Sequence, residues 1–316
     1  MPNTLRAPLR GPSRLALVAL VAAALAASAD PLVAQDPFQY DRAAEAYWRE
    51  QPERVDSGVA ILRISFESPL GGLVTGRMYV PAHQPGTRLP VVLRAHGAPG
   101  SSATSDGFGI DYARRGALVV AIDAAFARRD PQAPLSFTPR DSVEQLQTLL
   151  DYRRLVDLLV QRPDVDSARI GYVGVSYGAA VGGALAGIEP RIAAFVLAVG
   201  DLGIVSHFVG ADGRWMPPLS DMPPDVASRW ARAMHPVSGT ALFPKANGER
   251  LFLQNNREDQ AVLPHVAEAF HKAAPRGTTI KWYPGGHRLG PAHWQDQAAF
   301  LHERIGISLD LAPVAP

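Results

Sequence analysis

The 316-residue chain contains no cysteine. That excludes a disulfide scaffold, a lipid anchor on a thiol, a thiolate nucleophile and a cysteine-ligated metal. No HExxH pair occurs, and His207, His235, His265, His271, His293 and His302 show no ligand spacing, so no metal or other cofactor is expected. An excess of either charge is also missing. With 31 basic and 30 acidic residues the net charge is +1, and no basic block appears beyond the start, so nucleic acid is not an expected partner. No internal repeat is visible. The apolar run Leu15–Ala27 falls short of the roughly 20 residues a membrane span requires.

What stands at the start is a leader pattern. Arg6, Arg10 and Arg14 precede the run Leu15–Ala27, and Ala27-Ser28-Ala29 is a small-x-small cleavage site. Residues 1–29 therefore read as a signal peptide, with a second candidate cut after Ala34. Its removal leaves 28 basic and 30 acidic residues, net −2. The expectation is export to the periplasm or medium, with no stable membrane anchor after cleavage. Hydrophobic residues make up 47% of the chain, ample for the core that must hold a disulfide-free exported protein.

Residues 30–316 read as a single α/β domain. A polar lead-in carries an expected helix at Asp41–Glu50. Val59–Ser68 and Leu73–Pro81 alternate like an antiparallel hairpin turning at Leu70-Gly71-Gly72. From Leu89 strands are expected at 89–95, 117–122, 170–175, 192–199, 250–256 and 278–283. Helices are expected at 105–115, 141–161, 177–187, 262–273 and 291–304, an alternation that argues for a mostly parallel sheet with helices on both faces. Residues 201–249 exceed what a crossover needs and are rich in large apolar residues and proline, so they read as a cap over the active-site edge. Trp215, Met216, Trp230 and Met234 are its candidate pocket residues, expected to favour acyl groups larger than acetate.

The chemistry is carried by RIGYVGVSYGAAVGGALAG, residues 169–187. A β-branched strand runs into Ser176 and then into a helix of small residues. Gly174 and Gly178 flank Ser176, as a nucleophile on a sharp strand-to-helix turn requires. Asp259 follows the strand 250–256, and His287 follows the strand 278–283. Loops after successive parallel strands share one sheet edge, where ligands bind. The order Ser176, Asp259, His287 suits a nucleophile, an orienting acid and a base. Asp201, after strand 192–199, is the rival acid, and Glu258 stands one residue early. His96 reads as an anchor for its loop, and Asp123 as a loop-fixing carboxylate.

Leu89–Ala95 is followed at once by His96-Gly97-Ala98-Pro99-Gly100. With the elbow at Ser176, this loop resembles the α/β-hydrolase family, over roughly residues 58–305. The resemblance implies an oxyanion hole from the backbone N–H groups of Ala98 and Tyr177; Pro99 has no N–H. Within the superfamily the chain is similar to the dienelactone hydrolase and acetyl xylan esterase group, with some likeness to the prolyl oligopeptidase catalytic domain. Dienelactone hydrolases carry a cysteine nucleophile, which this chain lacks. The expected function is cleavage of small-molecule carboxylic esters through an acyl-enzyme on Ser176. The alternatives are a serine peptidase of the prolyl oligopeptidase type and a non-catalytic binding relative.

Overall fold

The structure, a computed structural model, describes residues 36–45 and 47–311. The expected leader and both cleavage points lie outside the described residues. Residues 36–39 form a short turn, in which Asp36 Oδ1 accepts from the Phe38 N–H (3.0 Å).

From Tyr40 onward nine strands form one sheet: Trp48–Asp56 (β1), Val59–Glu67 (β2), Leu73–Pro81 (β3), Leu89–Ala95 (β4), Leu118–Ile122 (β5), Val165–Val175 (β6), Ala194–Ala198 (β7), Leu251–Asn256 (β8) and Thr279–Tyr283 (β9). Their spatial order is β1-β2-β3-β5-β4-β6-β7-β8-β9. The run β1-β2-β3-β5 is antiparallel, and the rest is parallel. Strands β4, β5, β7 and β8 are buried at every position. That follows from sequences such as LVVAI and AFVLA, which present apolar side chains to both faces.

Helices cover both faces. On one, Phe108 and Tyr112 of the helix Asp106–Arg114 and Phe300, Leu301 and Ile305 of the helix Pro291–Ile305 pack on Val92, Val119, Val173 and Val196. On the other, Tyr152 of the helix Arg140–Leu159 meets Tyr172 of β6 with ring centroids 5.4 Å apart. Helix Tyr177–Ala186 lies so close that a Cβ on Gly182 would stand 2.4 Å from the Tyr172 ring.

The helix expected over Asp41–Glu50 is not there. Residues 42–44 form bends, and β1 begins at Trp48. The Ala/Glu-rich lead-in has helical propensity, but pairing with β2 and the Trp48–Phe66 ring contact (5.9 Å) override it. Pro52 sits beside a register shift of this edge strand, where its missing N–H is tolerated.

Between β7 and β8 the segment 201–249 is built from short helical pieces, the longest Pro224–Met234. Leu219, Ala227, Trp230 and Met234 form a small core of their own, joined by Leu135, Phe137, Ile204, Phe208 and Trp215. One buried carboxylate ties it to the sheet layer. Asp141, in the first turn of Arg140–Leu159, accepts from the Ser136 N–H (2.9 Å), the Ser136 hydroxyl (2.6 Å), the Phe137 N–H (2.7 Å) and Trp230 Nε1–H (2.8 Å).

Candidate active site

Ser176 directly follows β6 with φ 54° and ψ −119°, a conformation that non-glycine residues avoid and that costs of order 1–3 kcal/mol. It persists because its surroundings allow nothing else. The Ser176 N–H donates to Ala198 O of the neighbouring strand (2.9 Å), and the helix starts at Tyr177. A Cβ on Gly174 would lie 2.2 Å from Gly178 O, and one on Gly178 would lie 2.5 Å from Ala95 O. Only glycine fits either side of this turn.

Strands β8 and β9 deliver the next two side chains to the same edge. His287 Nε2 lies 3.0 Å from Ser176 Oγ, and His287 Nδ1 lies 2.8 Å from Asp259 Oδ2. Asp259 is fully buried, and its other oxygen accepts the N–H groups of Ala261 (2.8 Å) and Val262 (2.9 Å). Burial pushes its carboxyl pKa up, but the hydrogen bonds from His287, Val262 and Ala261 outweigh that and hold it below the usual carboxylate value. A carboxylate only accepts, so Nδ1 carries the imidazole proton and Nε2 is free to accept from the Ser176 hydroxyl. Asn256, at the end of β8, fixes the loop that carries His287. Its amide donates to Gly286 O and to Arg288 O (2.9 Å), while its oxygen accepts from His293 Nε2–H (2.8 Å).

Strand β4 supplies the facing loop. His96 is buried, its Nδ1–H donates to Gly97 O (2.7 Å), and its Nε2 accepts the Ala124 N–H (3.1 Å). Both ring nitrogens are thus engaged in holding the loop, and burial lowers the imidazole pKa. Asp123 does similar work, accepting from Ser102 N–H (2.7 Å) and the Thr75 hydroxyl (2.5 Å). Ala98 and Tyr177 line one cavity with Ser176. Neither of their N–H groups donates to a protein acceptor among the described residues. The Tyr177 N–H also opens a ten-residue helix, whose N-terminal end favours negative charge.

The sequence profile of the family "Acetyl xylan esterase (AXE1)" matches residues 43–209, more than half of the chain. The chain belongs to the acetyl xylan esterase family. The matched stretch includes Ala98, Ser176, Tyr177 and His207 and ends before Asp259 and His287. Among solved structures, the acetyl xylan esterase from Paenibacillus sp. is 20% identical, with TM-score 0.64, over 82% of this chain and 89% of that one. Acetyl xylan esterase 1 from Thermoanaerobacterium sp. is 17% identical, with TM-score 0.67, over 84% and 90%. A putative dienelactone hydrolase from Klebsiella pneumoniae is 15% identical, with TM-score 0.54, over 82% and 100%. These likenesses show the α/β-hydrolase fold. No curated protein matches by sequence.

The cavity at Ser176 measures about 210 Å³. Pro134, Leu135, Ala180, Ile204, Phe208 and Val262 give it apolar walls, and Asp201 and His207 are its polar groups beside Ser176. Trp215, Met216, Trp230 and Met234 are not among the lining residues. Trp230 and Met234 are buried in the small core behind the wall, with Trp215 packed against it. Trp230 stands 5.3 Å from the Phe137 ring and 6.4 Å from Phe208, so it supports the wall without forming it.

The rival acid is otherwise engaged. Asp201 Oδ2 lies 2.8 Å from His207 Nδ1, and Asp201 Oδ1 accepts the Gly203 N–H (2.8 Å). The hydrogen bond to Asp201 raises the His207 pKa above its ordinary value, against burial, which lowers it. Sequence reasoning passed over His207 for want of ligand spacing. The available signal was its position six residues after Asp201, just beyond the carboxyl end of β7. Glu258 accepts the Gly285 N–H and so braces the turn before His287. Among the described residues, no group of three or more histidine or acidic side chains is placed to hold a metal ion, and no helix is long and apolar enough to cross a membrane.

Proposed function

We propose that this protein is an exported serine esterase that removes short acyl groups, acetyl foremost, from hydroxyls of a saccharide. The observation that carries the reading is the continuous contact Ser176–His287–Asp259, at 3.0 and 2.8 Å, opening on a small apolar cavity. Ser176 Oγ attacks the acyl carbonyl while His287 Nε2 takes its proton. Asp259 keeps the imidazole in the required tautomer and stabilises the imidazolium. The N–H groups of Ala98 and Tyr177 receive the negative charge on the carbonyl oxygen, a contribution of about 3–4 kcal/mol per donor in comparable sites. His287 then gives its proton to the leaving hydroxyl. Water hydrolyses the acyl-enzyme by the same route in reverse, regenerating Ser176.

A short acyl group suits a cavity of about 210 Å³, below the roughly 300–1,000 Å³ that larger ligands occupy. The larger acyl groups expected from Trp215, Met216, Trp230 and Met234 lose their support, since none of the four lines the cavity and Trp230 and Met234 are buried in the small core behind its wall. The segment 201–249 acts as a cap, because it contributes Asp201, Ile204, His207 and Phe208 to the cavity. Export is supported by Arg6, Arg10, Arg14 and the apolar run that follows.

The test is turnover of p-nitrophenyl acetate, p-nitrophenyl butyrate and an aminoacyl-proline amide. It is joined to mass spectrometry of protein treated with a serine-directed phosphonate. Acetate turnover with phosphonate on Ser176 supports the reading. Amide cleavage without ester cleavage, or labelling elsewhere, rejects it. For export, secreted material should begin near Asp30 or Gln35 on N-terminal sequencing, and an intact Met1 would reject cleavage.

A further inference from the structure

A second concavity, of about 400 Å³, lies on the antiparallel flank of the sheet. Arg49, Arg63 and Arg77 enter it from three adjacent strands, with Ser65, Thr75, Ser101 and Ser102 around them. The register makes this one surface. Arg63 stands opposite both Gln51 of β1 and Arg77 of β3, and Ser65 stands opposite both Arg49 and Thr75. Arg77 is committed to Asp106 (2.8 Å) and Glu53 (3.2 Å). Arg49 and Arg63 pair with no carboxylate among the described residues. Among the described residues the guanidinium of Arg49 has the Gln51 side-chain amide as its partner, which accepts with its oxygen turned inward (2.6 and 3.2 Å). The one acid lining the groove, Asp123, has both oxygens occupied by Ser102 and Thr75.

Topology puts this groove at the catalytic edge. Thr75 O accepts the Asp123 N–H just past the carboxyl end of β5 (2.8 Å). Residues near 75, 65 and 49 therefore share the sheet edge at which Ala98 and Ser176 follow β4 and β6. One loop borders both concavities: Ala98 lines the Ser176 cavity, and Ser101 to Ala103 line the groove. Three residues of chain reach at most about 11 Å, so the groove begins within that distance of the Ala98 backbone. Two guanidinium forks with no acid partner, ringed by hydroxyls, match a planar carboxylate in charge and geometry.

We propose that this groove binds a carboxylate carried by the alcohol part of the substrate, a uronic acid unit of an acetylated saccharide, through Arg49 and Arg63. The assignment rests on the esterase reading and narrows its substrate. The probe is an acetylated trisaccharide containing one glucuronic acid, compared with the same compound after reduction of its carboxyl to the primary alcohol. The wild-type ratio of kcat/KM for acid over reduced form should be at least about fivefold, as expected for two exposed charge pairs, and should fall with added salt. The double variant R49Q/R63Q should bring the ratio to about one. R88Q/R276Q removes the same charge from exposed positions near the opposite ends of β4 and β9 and should leave the ratio in place. A wild-type ratio near one overturns the proposal, as does a collapse caused equally by R88Q/R276Q. Calorimetric binding of the deacetylated acidic trisaccharide gives a readout independent of hydrolysis. Binding by wild type and loss in R49Q/R63Q supports the groove even if no ester is turned over. Equal displacement by inorganic phosphate overturns the carboxylate assignment.

Discussion

Replacing Asp259 with asparagine separates orientation of the base from stability of the fold. The side chain makes three contacts: two backbone N–H groups on Oδ1 and the His287 Nδ1–H on Oδ2. In Asp259→Asn the amide oxygen keeps the N–H groups of Ala261 and Val262, which turns the amide nitrogen toward His287. That nitrogen donates, so Nδ1 must accept, and the imidazole proton moves to Nε2, facing Ser176 Oγ. A protonated Nε2 cannot take the hydroxyl proton. The same exchange in a serine protease costs about 10⁴ in kcat, or about 5 kcal/mol of barrier. The fold loses little, because both buried N–H groups stay paired. Asp259→Ala instead orphans them, at about 1–3 kcal/mol each. The expected pattern is thus a kcat with p-nitrophenyl acetate reduced by about 10⁴ in Asp259→Asn with a melting temperature close to wild type, and a clearly lowered melting temperature in Asp259→Ala. Asp201→Asn is the control, since Asp201 faces His207 and not His287. More than a tenth of wild-type kcat in Asp259→Asn, or a larger loss in Asp201→Asn, would refute the reasoning.

Ser176→Gly should abolish turnover and raise stability by about 1 kcal/mol in urea titration, since glycine relieves the positive φ at the elbow; a destabilised variant would mean the turn is not strained. Phe208→Ala enlarges the cavity wall and should raise the butyrate-to-acetate ratio of kcat/KM by at least about threefold. Met234→Ala, behind that wall, should lower stability by about 2–5 kcal/mol and leave the ratio alone. The opposite assignment of the two effects would move the wall to the inner core. His207, with its pKa raised by Asp201, adds stability that is complete below the ordinary histidine value near 6.5 and is lost as pH rises through the elevated folded value. Melting temperature should therefore fall more steeply above pH 6.5 in wild type than in Asp201→Asn, and parallel curves would remove this linkage.

Strands β4, β5 and β7 were legible because a strand buried on both faces must be largely apolar, and LPVVLRA or AFVLA permits little else. Strand β1 was not: WREQPERVD is polar and half exposed, and only its pairing with β2 makes it a strand. Ser176, Asp259 and His287, singled out by their loops, are the side chains the structure brings within hydrogen-bond distance of one another. The cavity wall was illegible for a different reason. Leu135 reaches it from before the long helix, and Ile204 and Phe208 from after β7, so no local pattern separates lining residues from those one layer behind. The pairing of His207 with Asp201 depends on a turn at Gly203, with φ 116°, that spacing alone does not reveal.

The strands that bracket residues 201–249 are hydrogen-bonded neighbours, with Ala198 beside Gln254. Adjacent strands lie about 4.8 Å apart, but the insertion leaves at the carboxyl end of β7 and returns at the amino end of β8, so it spans the length of a short strand. Beyond its two joints it is held by the Trp230–Asp141 bond, by His265 Nε2–H donating to Val209 O (3.0 Å) and by Phe243 against Phe270 (4.8 Å between ring centroids). Such a segment is an exchangeable part. A different length of chain between the same joints, keeping these contacts, would present a new wall to Ser176 without altering the register of any strand. Diversification of what this scaffold accepts can proceed in that one segment while Ser176, His287 and Asp259 stay where the sheet holds them.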